Sequence, residues 1–388
     1  KRDSLDLRLD PGRNGEVRHK NVSAELIDSV EHPKAKKRLW NTSRHGKTGG
    51  CKTLTVRSER DLPTTVFFER GTPFCPTGVL NPDWVDALMG YPVGFSSAET
   101  TLVLQPRSCI SSEKTMARRL TMLDVFSGMG GISLGLSPWF ETVAYCDVNE
   151  HSRAVLQRRQ EDGSLDKGPI FDDIQEPILT AKTFRERTGM QTVDAICGGF
   201  PCTGISAAGK KDGLANVQTC LFHDMMRLID DLNIQVAFFE NVARITCVSM
   251  ANDLRVVLSS LTERGFRCRY VSMKATHVGV PQTRSRWFLF ATRGTANEFN
   301  FDIQPLSPES IKDRFFLQWL HEPTGVPRQL NGAMLTKADA QQRKKRLQRL
   351  GNSVVPAMVT CAFETLVAGF DAQVPASFRP TKKRRIAP

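Results

Sequence analysis

The sequence lacks several patterns that would assign it to a common class of protein. Its 10 cysteines occur singly, and none forms the Cys-x-x-Cys pair typical of a zinc ribbon. Ten thiols in 388 residues are also too sparse for a small disulfide scaffold, which favours a reducing compartment. We find no signal peptide and no apolar run near 18 residues, which predicts a soluble chain without a membrane partner. The chain starts with Lys1 rather than Met, as a fragment would.

Positive charge is in excess. The 53 Lys and Arg outnumber the 41 Asp and Glu, for a formal net charge of +12. This surplus favours a polyanionic partner such as nucleic acid. The alternative is a basic surface that is solvated and binds no partner, which gives the same net charge. The tail Lys382-Lys383-Arg384-Arg385 is typical of a nuclear import signal, or of a basic end that adds nonspecific DNA affinity. We therefore expect the nucleus in a eukaryote and the cytoplasm otherwise.

From about residue 120, short apolar runs alternate with longer amphipathic stretches, such as 221–232 and 253–264. This alternation predicts an α/β fold with a parallel, doubly wound sheet. Residues 293–340 are expected to be irregular, and Asn352-Ser353 to cap a last helix through 370, with Pro356 in its first turn. The runs that predict strands are 120–126, 142–146, 193–197, 236–240, 268–273 and 286–292.

A glycine-rich turn, Phe126-Ser127-Gly128-Met129-Gly130-Gly131, follows the first of these strands and opens a helix. Glycines there let the backbone approach a ligand at the carboxyl edge of the sheet. The spacing is not Gly-x-Gly-x-x-Gly, so a nucleoside cofactor other than a dinucleotide is favoured. The alternative is a turn shaped only for tight strand-to-helix packing.

Two acidic residues follow the next short apolar runs. Asp147 can bind both hydroxyls of a ribose, with a helix cap as the alternative interpretation. Asp173, which precedes Ile174, is a candidate for binding an adenine amino group.

A cysteine and a glutamate also follow predicted strands. Cys202 ends Gly199-Phe200-Pro201-Cys202, where glycine and proline shape a loop, and Glu240 ends a very apolar strand. A thiolate facing a desolvated acid indicates covalent catalysis, in which Glu240 donates a proton as the thiolate adds. The alternatives are a buried, inert thiol and a carboxylate paired with a structural arginine.

Gln282-Thr283-Arg284-Ser285-Arg286 precedes the last predicted strand. Alternate residues of an extended segment share a face, so Arg284 and Arg286 are expected to point the same way. Two guanidinium groups on one face suit a phosphate or a base carbonyl, and exposed charges at a strand edge are the alternative.

In this order, these segments resemble the C5-cytosine DNA methyltransferase family. The glycine turn resembles the cofactor motif of the family, and residues 199–206 resemble its nucleophile loop. Glu240-Asn241-Val242 resembles the acid motif, and residues 282–286 match the QxRxR element. The final motif of the family is matched by Gly351-Asn352-Ser353-Val354-Val355-Pro356. The resemblance covers about residues 120–292 and 342–370. It implies a Rossmann-like methyltransferase fold with an irregular recognition region, S-adenosylmethionine as methyl donor, and a flipped cytosine in double-stranded DNA.

The resemblance assigns a role to each candidate site residue. Cys202 is the nucleophile, Glu240 is the acid, and Arg284 and Arg286 bind the base or its flanking backbone. The residues implied to line the cofactor site are Phe126, Gly128, Gly130, Asp147, Asp173 and Asn352. No metal is implied. A tRNA cytosine methyltransferase shares this core and is the alternative, while the presence of Cys202 and Glu240 speaks against a catalytically silent DNA-binding module.

The sequence departs from the family pattern at two places. Thr203 stands where the family has glutamine after Pro-Cys, so the DNA contacts of that glutamine are not carried over to this chain. In the family, a recognition region and a Gly-Phe-Pro motif lie between QxRxR and the final motif. Here residues 80–92, with Gly90-Tyr91-Pro92, resemble that motif but lie upstream of everything else. We interpret this as a rearranged chain, which close termini make tolerable.

The rearrangement predicts where the upstream segment lies. Residues 80–92 should form a short helix packed beside the last helix, 354–370, burying Trp84, Val85, Leu88 and Met89. The preceding stretch, 33–79, should reach DNA, with phosphate contacts from Lys36, Lys37, Arg38, Arg44 and Lys47. The expected organisation is a recognition-like region 1–117, a catalytic core 118–293, a connection 294–340, a completing helix 341–370 and a tail 371–388.

Overall fold

The computed structural model describes residues 79–102, 119–200, 217–280, 282–299, 329–330 and 337–368, with the single residues 301, 303 and 370. The predicted DNA contacts in 33–79, the basic tail and the nucleophile Cys202 lie outside these residues.

The described strands form one large sheet and one short ribbon. In the ribbon, β1 (Val79–Leu80) pairs antiparallel with β9 (Gln329–Leu330). The sheet has the order β4-β3-β2-β5-β6-β8-β7. Its strands are β2 (Leu120–Val125), β3 (Phe140–Cys146), β4 (Ile170–Phe171), β5 (Ala195–Gly199), β6 (Val236–Val242), β7 (Arg267–Lys274) and β8 (Ser285–Thr292).

Five neighbouring strands, from β4 to β6, are parallel. β3 and β4 lie on one side of β2, and the later strands β5 and β6 lie on the other side. The strand order therefore reverses between β2 and β5. In open α/β sheets, ligands bind at the carboxyl edge beside such a switch point. The glycine turn after β2 and the Phe200 loop after β5 both lie at this edge.

The prediction of a fully parallel sheet is wrong for one strand. β8 runs antiparallel to both β6 and β7. This reversal brings the start of β8 to the carboxyl edge, where Val242 is paired with Arg286. The apolar alternation gives the presence of a strand but not its direction.

Helices cover both faces of the sheet, and successive residues of a strand contact opposite layers. On β2, Met122 belongs to one core cluster and Leu123 to the other. Burial on both faces explains the nearly continuous apolar run of the central strands. The helices are α1 (Pro82–Leu88), α2 (Gly131–Leu136), α3 (Glu150–Glu161), α4 (Ala181–Thr188), α5 (Val217–Asp231), α6 (Ala251–Glu263), α7 (Lys337–Asn352) and α8 (Pro356–Ala368).

The upstream segment is part of the core. Asn81 caps α1 by accepting a hydrogen bond from the Asp83 amide at 2.9 Å, and Pro82 occupies the first helical position. Trp84, Val85, Leu88 and Met89 are all buried, as the rearrangement predicts, and they share one cluster with α2, α7 and α8.

Polar contacts join α1 mainly to α7 rather than to α8. Arg346 of α7 bonds the carboxylates of Asp83 and Asp86, the latter at 2.8 Å, and the Ser96 hydroxyl at 2.9 Å. Further along, Arg159 of α3 holds the carbonyls of Ser97 and Thr100. The segment is therefore fixed at both of its ends.

The predicted cap of the last helix is wrong. Asn352 is the last residue of α7, which begins at Lys337 within the stretch expected to be irregular. The last helix begins at Pro356, as the proline predicts.

Among the described residues, one helical stretch, residues 338–368 across α7 and α8, is long and apolar enough to cross a membrane. Of its most apolar part, 67% is buried inside the protein, as in a core helix.

Candidate active site

Glu240 lies at the carboxyl edge, directly beside the end of β5. It is paired with Gly199 across β5 and β6, and a Cβ on Gly199 would lie 2.8 Å from Glu240 Oε2. Any larger residue at 199 would displace this carboxylate. The glycine before Phe200 is therefore required by the acid on the neighbouring strand.

The loop that carries Cys202 leaves the sheet from a fixed point. The Asn241 side-chain amide donates to the Phe200 carbonyl at 3.1 Å, and this contact is buried. The other end of the amide accepts from the Val242 amide at 2.8 Å. Asn241 therefore anchors the residue just before Pro201, and this role was not predicted from the sequence.

Arg286 pairs with the predicted acid. Its Nε donates to Glu240 Oε1 at 2.6 Å, and both side chains are about one-seventh exposed, at 15% and 14%. Burial raises the pKa of Glu240 above its usual range, while Arg286 and Arg284 oppose that shift. The interpretation of Arg286 as an exposed strand-edge charge is wrong. The ion pair itself fits both an acid and a structural carboxylate.

Arg284 has a different partner from Arg286. It is 3% exposed, and its Nη1 donates to the Gly351 carbonyl at 3.1 Å. Among the described residues, its Nε and Nη2 have no hydrogen-bond partner. Burial and the neighbouring Arg286 lower the pKa of Arg284 to about 9. Arg284 thus contacts the final motif, and its predicted contact with the base or the flanking backbone stays a prediction.

Gln282 joins the same region to the upstream segment. Its side chain is fully buried, and Nε2 donates to the Met89 sulfur at 3.3 Å. The QxRxR element therefore contacts three parts of the chain: α1 through Gln282, the final motif through Arg284 and the acid through Arg286.

The turn after β2 offers open space beside an acidic side chain. Gly128 donates its amide to Asp147 Oδ2 at 2.8 Å, and a Cβ on Gly128 would meet nothing within 4 Å. Asp147 is half-buried, and its Oδ1 accepts from the Asn149 amide at 2.8 Å. Each carboxylate oxygen keeps a second lone pair for a ligand hydroxyl. Asn149, not Asp147, caps α3, so the helix-cap interpretation of Asp147 is wrong.

The other two glycines of the turn are required by packing. Gly130 has a left-handed φ of 82°, and a Cβ there would lie 2.5 Å from Leu165. A Cβ on Gly131 would lie 2.2 Å from the Tyr91 hydroxyl. The packing interpretation thus holds for Gly130 and Gly131, and only Gly128 faces open space. A ligand contact at Gly130 stays a prediction.

The remaining predicted cofactor residues lie around this turn. Phe126, with φ of 54°, begins the turn and packs partly on the core. Asp173 follows β4, and its Oδ1 accepts from the Gln175 amide at 3.0 Å. Asn352 is exposed at the end of α7, next to Val354, which contacts Gly131. These positions fit a nucleoside cofactor bound along the carboxyl edge of β2, β3 and β4.

A buried acid beneath the turn was not predicted to matter. Asp124 is fully buried, and its Oδ2 accepts from the Ser133 hydroxyl at 2.6 Å. Ser133 in turn accepts from Thr142 at 3.0 Å. Burial raises the pKa of Asp124 to about 7. The network ties β2, α2 and β3 together below the turn, and an aspartate inside an apolar strand was its sequence signal.

Replacing Asp147 with alanine is expected to weaken S-adenosylmethionine binding and leave DNA binding unchanged. The substitution removes the predicted ribose contact and the hydrogen bond that holds the Gly128 amide, a bond of about 1 kcal/mol. Calorimetry on the two ligands measures this, with exposed Glu141→Ala as the matched carboxylate control. Unchanged cofactor affinity in Asp147→Ala would reject the assignment.

Within the described residues, no group of three His, Cys, Asp or Glu side chains is arranged to hold a metal ion.

Comparison with known proteins identifies relatives of this chain. Type II methyltransferase M.CviJI of Paramecium bursaria Chlorella virus IL3A is 32% identical over 171 residues, or 44% of this chain and 42% of the relative. Type II methyltransferase M.MspI of Moraxella sp is 32% identical over 215 residues, or 55% of this chain and 47% of the relative. Type II methyltransferase M.HhaI of Haemophilus parahaemolyticus is 26% identical over 237 residues, or 60% of this chain and 67% of the relative.

The chain spans about half the length of the first two of these relatives. The family model for C-5 cytosine-specific DNA methylase matches residues 120–318, which are 199 of the 388 residues. The match begins at β2 and includes the glycine turn, the Glu240 strand and the QxRxR element. The seven-stranded α/β sheet is the Rossmann-like methyltransferase fold expected from the resemblance. The chain belongs to the C-5 cytosine-specific DNA methylase family.

Proposed function

We propose that this chain transfers a methyl group from S-adenosylmethionine to carbon 5 of a flipped cytosine in double-stranded DNA, through a covalent adduct with Cys202. The observation that carries the proposal is the largely buried Glu240–Arg286 pair at the carboxyl edge, with Arg286 Nε and Glu240 Oε1 2.6 Å apart. It lies beside Gly199, three residues before the cysteine. Family membership supports the same reaction.

The reaction needs a nucleophile and an acid on the same base. Carbon 5 of cytosine is a poor nucleophile until a thiolate adds to carbon 6. The Cys202 thiolate would form that bond while Glu240 gives its proton to ring nitrogen 3, which converts the ring to an enamine. Carbon 5 would then take the methyl group from the sulfonium of S-adenosylmethionine, with S-adenosylhomocysteine as the leaving group. It would lose its own proton to a base, the thiolate would leave as the ring double bond re-forms, and nitrogen 3 would return its proton to Glu240.

The geometry of Glu240 suits the acid role. Its carboxyl group is nearly buried, so its protonated form persists to higher pH than that of an exposed glutamate. Arg286 holds Oε1 and fixes the side chain, which leaves Oε2 beside Gly199. Asn241 fixes the Phe200 carbonyl, so the loop starts from a defined position relative to the acid.

S-adenosylmethionine would supply the methyl group as an electrophile. Asp147 would bind its ribose hydroxyls, Gly128 would leave room for it beside the turn, and Asp173 and Asn352 would flank it. The open space at Gly128 and the half-buried Asp147 carboxylate are the observations that fit such a ligand. The net charge of +12 supports a nucleic-acid substrate.

The test is methyl incorporation from radiolabelled S-adenosylmethionine into three substrates: duplex DNA, tRNA, and duplex DNA in which every cytosine carries a 5-methyl group. We expect label in the first alone. Label in tRNA but not in duplex DNA would replace the substrate with the alternative class. Incorporation into fully methylated DNA would contradict carbon 5 as the acceptor.

Replacing Glu240 with glutamine is expected to lower the rate by about 10²–10⁴-fold, because general acid catalysis is lost. The acid must be protonated, so the wild-type rate should fall as pH rises through the pKa of Glu240. Since burial raises that pKa, this fall should lie above the usual range for glutamate. In Glu240→Gln the same fall should disappear from the pH–rate profile.

The control for this variant is Glu263→Gln, an exposed glutamate at the end of α6. It makes the same chemical change away from the site and should keep both the rate and the profile. A Glu240→Gln enzyme with the wild-type rate and pH dependence would leave Glu240 as a structural partner of Arg286.

A further inference from the structure

The Tyr91 hydroxyl lies between the two segments predicted to hold the cofactor. It donates to the Val354 carbonyl at 2.7 Å in a buried contact that joins residues 263 positions apart. The same hydroxyl would lie 2.2 Å from a Cβ on Gly131, so it touches the backbone where α2 begins. Val354 itself would be 3.1 Å from that Cβ, through its Cγ1. One hydroxyl thus holds the final motif against the glycine turn.

Tyr91 is itself held rigidly. Its amide donates to the Asp86 carbonyl at 2.9 Å, and its ring stacks on Phe95 with centroids 4.8 Å apart. The Asp86 carboxylate is fully buried and binds Arg346 of α7. Because α1 is fixed to α7 by this pair, the tyrosine cannot move independently of the helix that ends at Asn352.

The exposed Asn352 is flanked by two anchored carbonyl groups. Arg284 binds the carbonyl of Gly351 at 3.1 Å, and Tyr91 binds that of Val354 at 2.7 Å. Between them, Asn352 is exposed while the backbone on both sides of it is held. Removing either anchor would let the junction between α7 and α8 move away from the turn.

We infer that Tyr91 is a positioning residue for the S-adenosylmethionine site: its hydroxyl sets the affinity for the cofactor by holding residues 352–354 on the glycine turn. This inference rests on the proposed function. It places an element of cofactor binding in the upstream segment, 29 residues before Leu120 at the start of β2, outside the residues that the family model matches. The predicted recognition region and the cofactor site would then share one structural element.

The test compares Tyr91→Phe with Thr360→Val. Tyr91→Phe keeps the ring stacked on Phe95 and removes only the hydroxyl. Thr360 of α8 donates to the Gly135 carbonyl of α2 at 2.8 Å, one helical turn farther along α2 from the glycine turn. Both variants lose one hydroxyl-to-carbonyl bond between distant segments. Only Tyr91→Phe frees the junction beside Asn352.

The readouts are S-adenosylmethionine binding by calorimetry and thermal unfolding without cofactor. Both variants should unfold at a somewhat lower temperature. Tyr91→Phe should also weaken cofactor binding about tenfold, a coupling of ordinary size, while Thr360→Val should match wild type. Equal cofactor affinities in the two variants would overturn the inference and leave Tyr91 as a stabilising contact only.

Two further outcomes keep the inference separate from the proposed function. A wild-type protein that binds no S-adenosylmethionine would overturn the proposed function and this inference together, whereas binding by wild type with no loss in Tyr91→Phe overturns the inference alone. Hydrogen exchange on the wild-type chain is independent of variant stability. Cofactor should increase protection in peptides covering 86–96 and 351–356, and unchanged protection in both would contradict the role of Tyr91.

Discussion

Replacing Cys202 with serine is expected to abolish methyl transfer, by about 10⁴-fold or more, while the fold and S-adenosylmethionine binding persist. A serine hydroxyl is almost fully protonated at neutral pH and is a poor nucleophile for carbon 6, whereas a thiolate forms readily. The positions of Gly199 and Phe200 should not change in this variant, because Asn241 holds the Phe200 carbonyl and Gly199 lies against Glu240. Methyl incorporation from labelled cofactor measures the loss.

The control is Cys247→Ser, which makes the same change at an exposed thiol after β6. Surface substitutions usually change stability by less than about 0.5 kcal/mol, so this variant should keep the wild-type rate. Substantial turnover by Cys202→Ser would exclude the covalent route.

Duplex DNA containing 5-fluorocytosine tests the same step from the substrate side. Fluorine cannot leave as a proton does, so the ring cannot re-form its double bond and a protein–DNA adduct should accumulate. Wild type and Cys247→Ser should give the adduct on a denaturing gel, and Cys202→Ser should not. An adduct of equal yield in Cys202→Ser would move the nucleophile to another residue.

Deleting residues 1–100 is expected to unfold the catalytic core. The deletion removes α1 and exposes the surface it covers on α2, α7 and α8. Trp84, Leu88, Met89 and Phe95 each have at most 1% exposure, and burying four such side chains contributes about 6–12 kcal/mol. That is comparable with the whole stability of an ordinary domain, about 5–15 kcal/mol. Arg346 would also lose its acidic partners.

Deleting residues 1–78 is the matched control, since it keeps everything from β1 onward. We expect this shorter deletion to retain cooperative thermal unfolding and cofactor binding but to lose DNA affinity, because the predicted phosphate contacts lie in 33–79. A stable, fully active chain after deletion of 1–100 would make the upstream segment an accessory and the rearrangement wrong.

Local sequence pattern predicted most of the sheet and its functional edge. Each of the six predicted strands is present. The central strands were recognisable as short, nearly continuous apolar runs, because both of their faces are covered by helices. Since parallel strands end at one edge, the placement of Asp147, Glu240 and the Phe200 loop at that edge also followed from the pattern.

The features that were missed depend on partners far away in the chain. α7 has few apolar residues, so the hydrophobic pattern did not predict that a helix begins at Lys337. Its ion pairs with α1 join residues that are distant in the sequence. Apolar alternation is the same in a parallel and in an antiparallel strand, so it does not give the direction of β8, which runs antiparallel to both of its neighbours. Arg284 and Arg286 were expected to bind the base or its flanking backbone. Their partners within the protein, the Gly351 carbonyl and the Glu240 carboxylate, lie in distant parts of the chain and were not predicted.

The bond between Tyr91 and Val354 also constrains how the chain can be made. Ribosomes release a protein from its first residue onward, so α1 emerges about 250 residues before α7 and the Val354 junction. During that interval the apolar face of α1 lacks α7 and α8, two of the three helices with which it shares a core cluster, and contacts of such long sequence separation form slowly. The core strands can assemble first, but the contact between Tyr91 and Val354 forms only after residue 354 has been synthesised. A nascent chain would therefore join its upstream segment to the final motif only after all strands of the large sheet have been made.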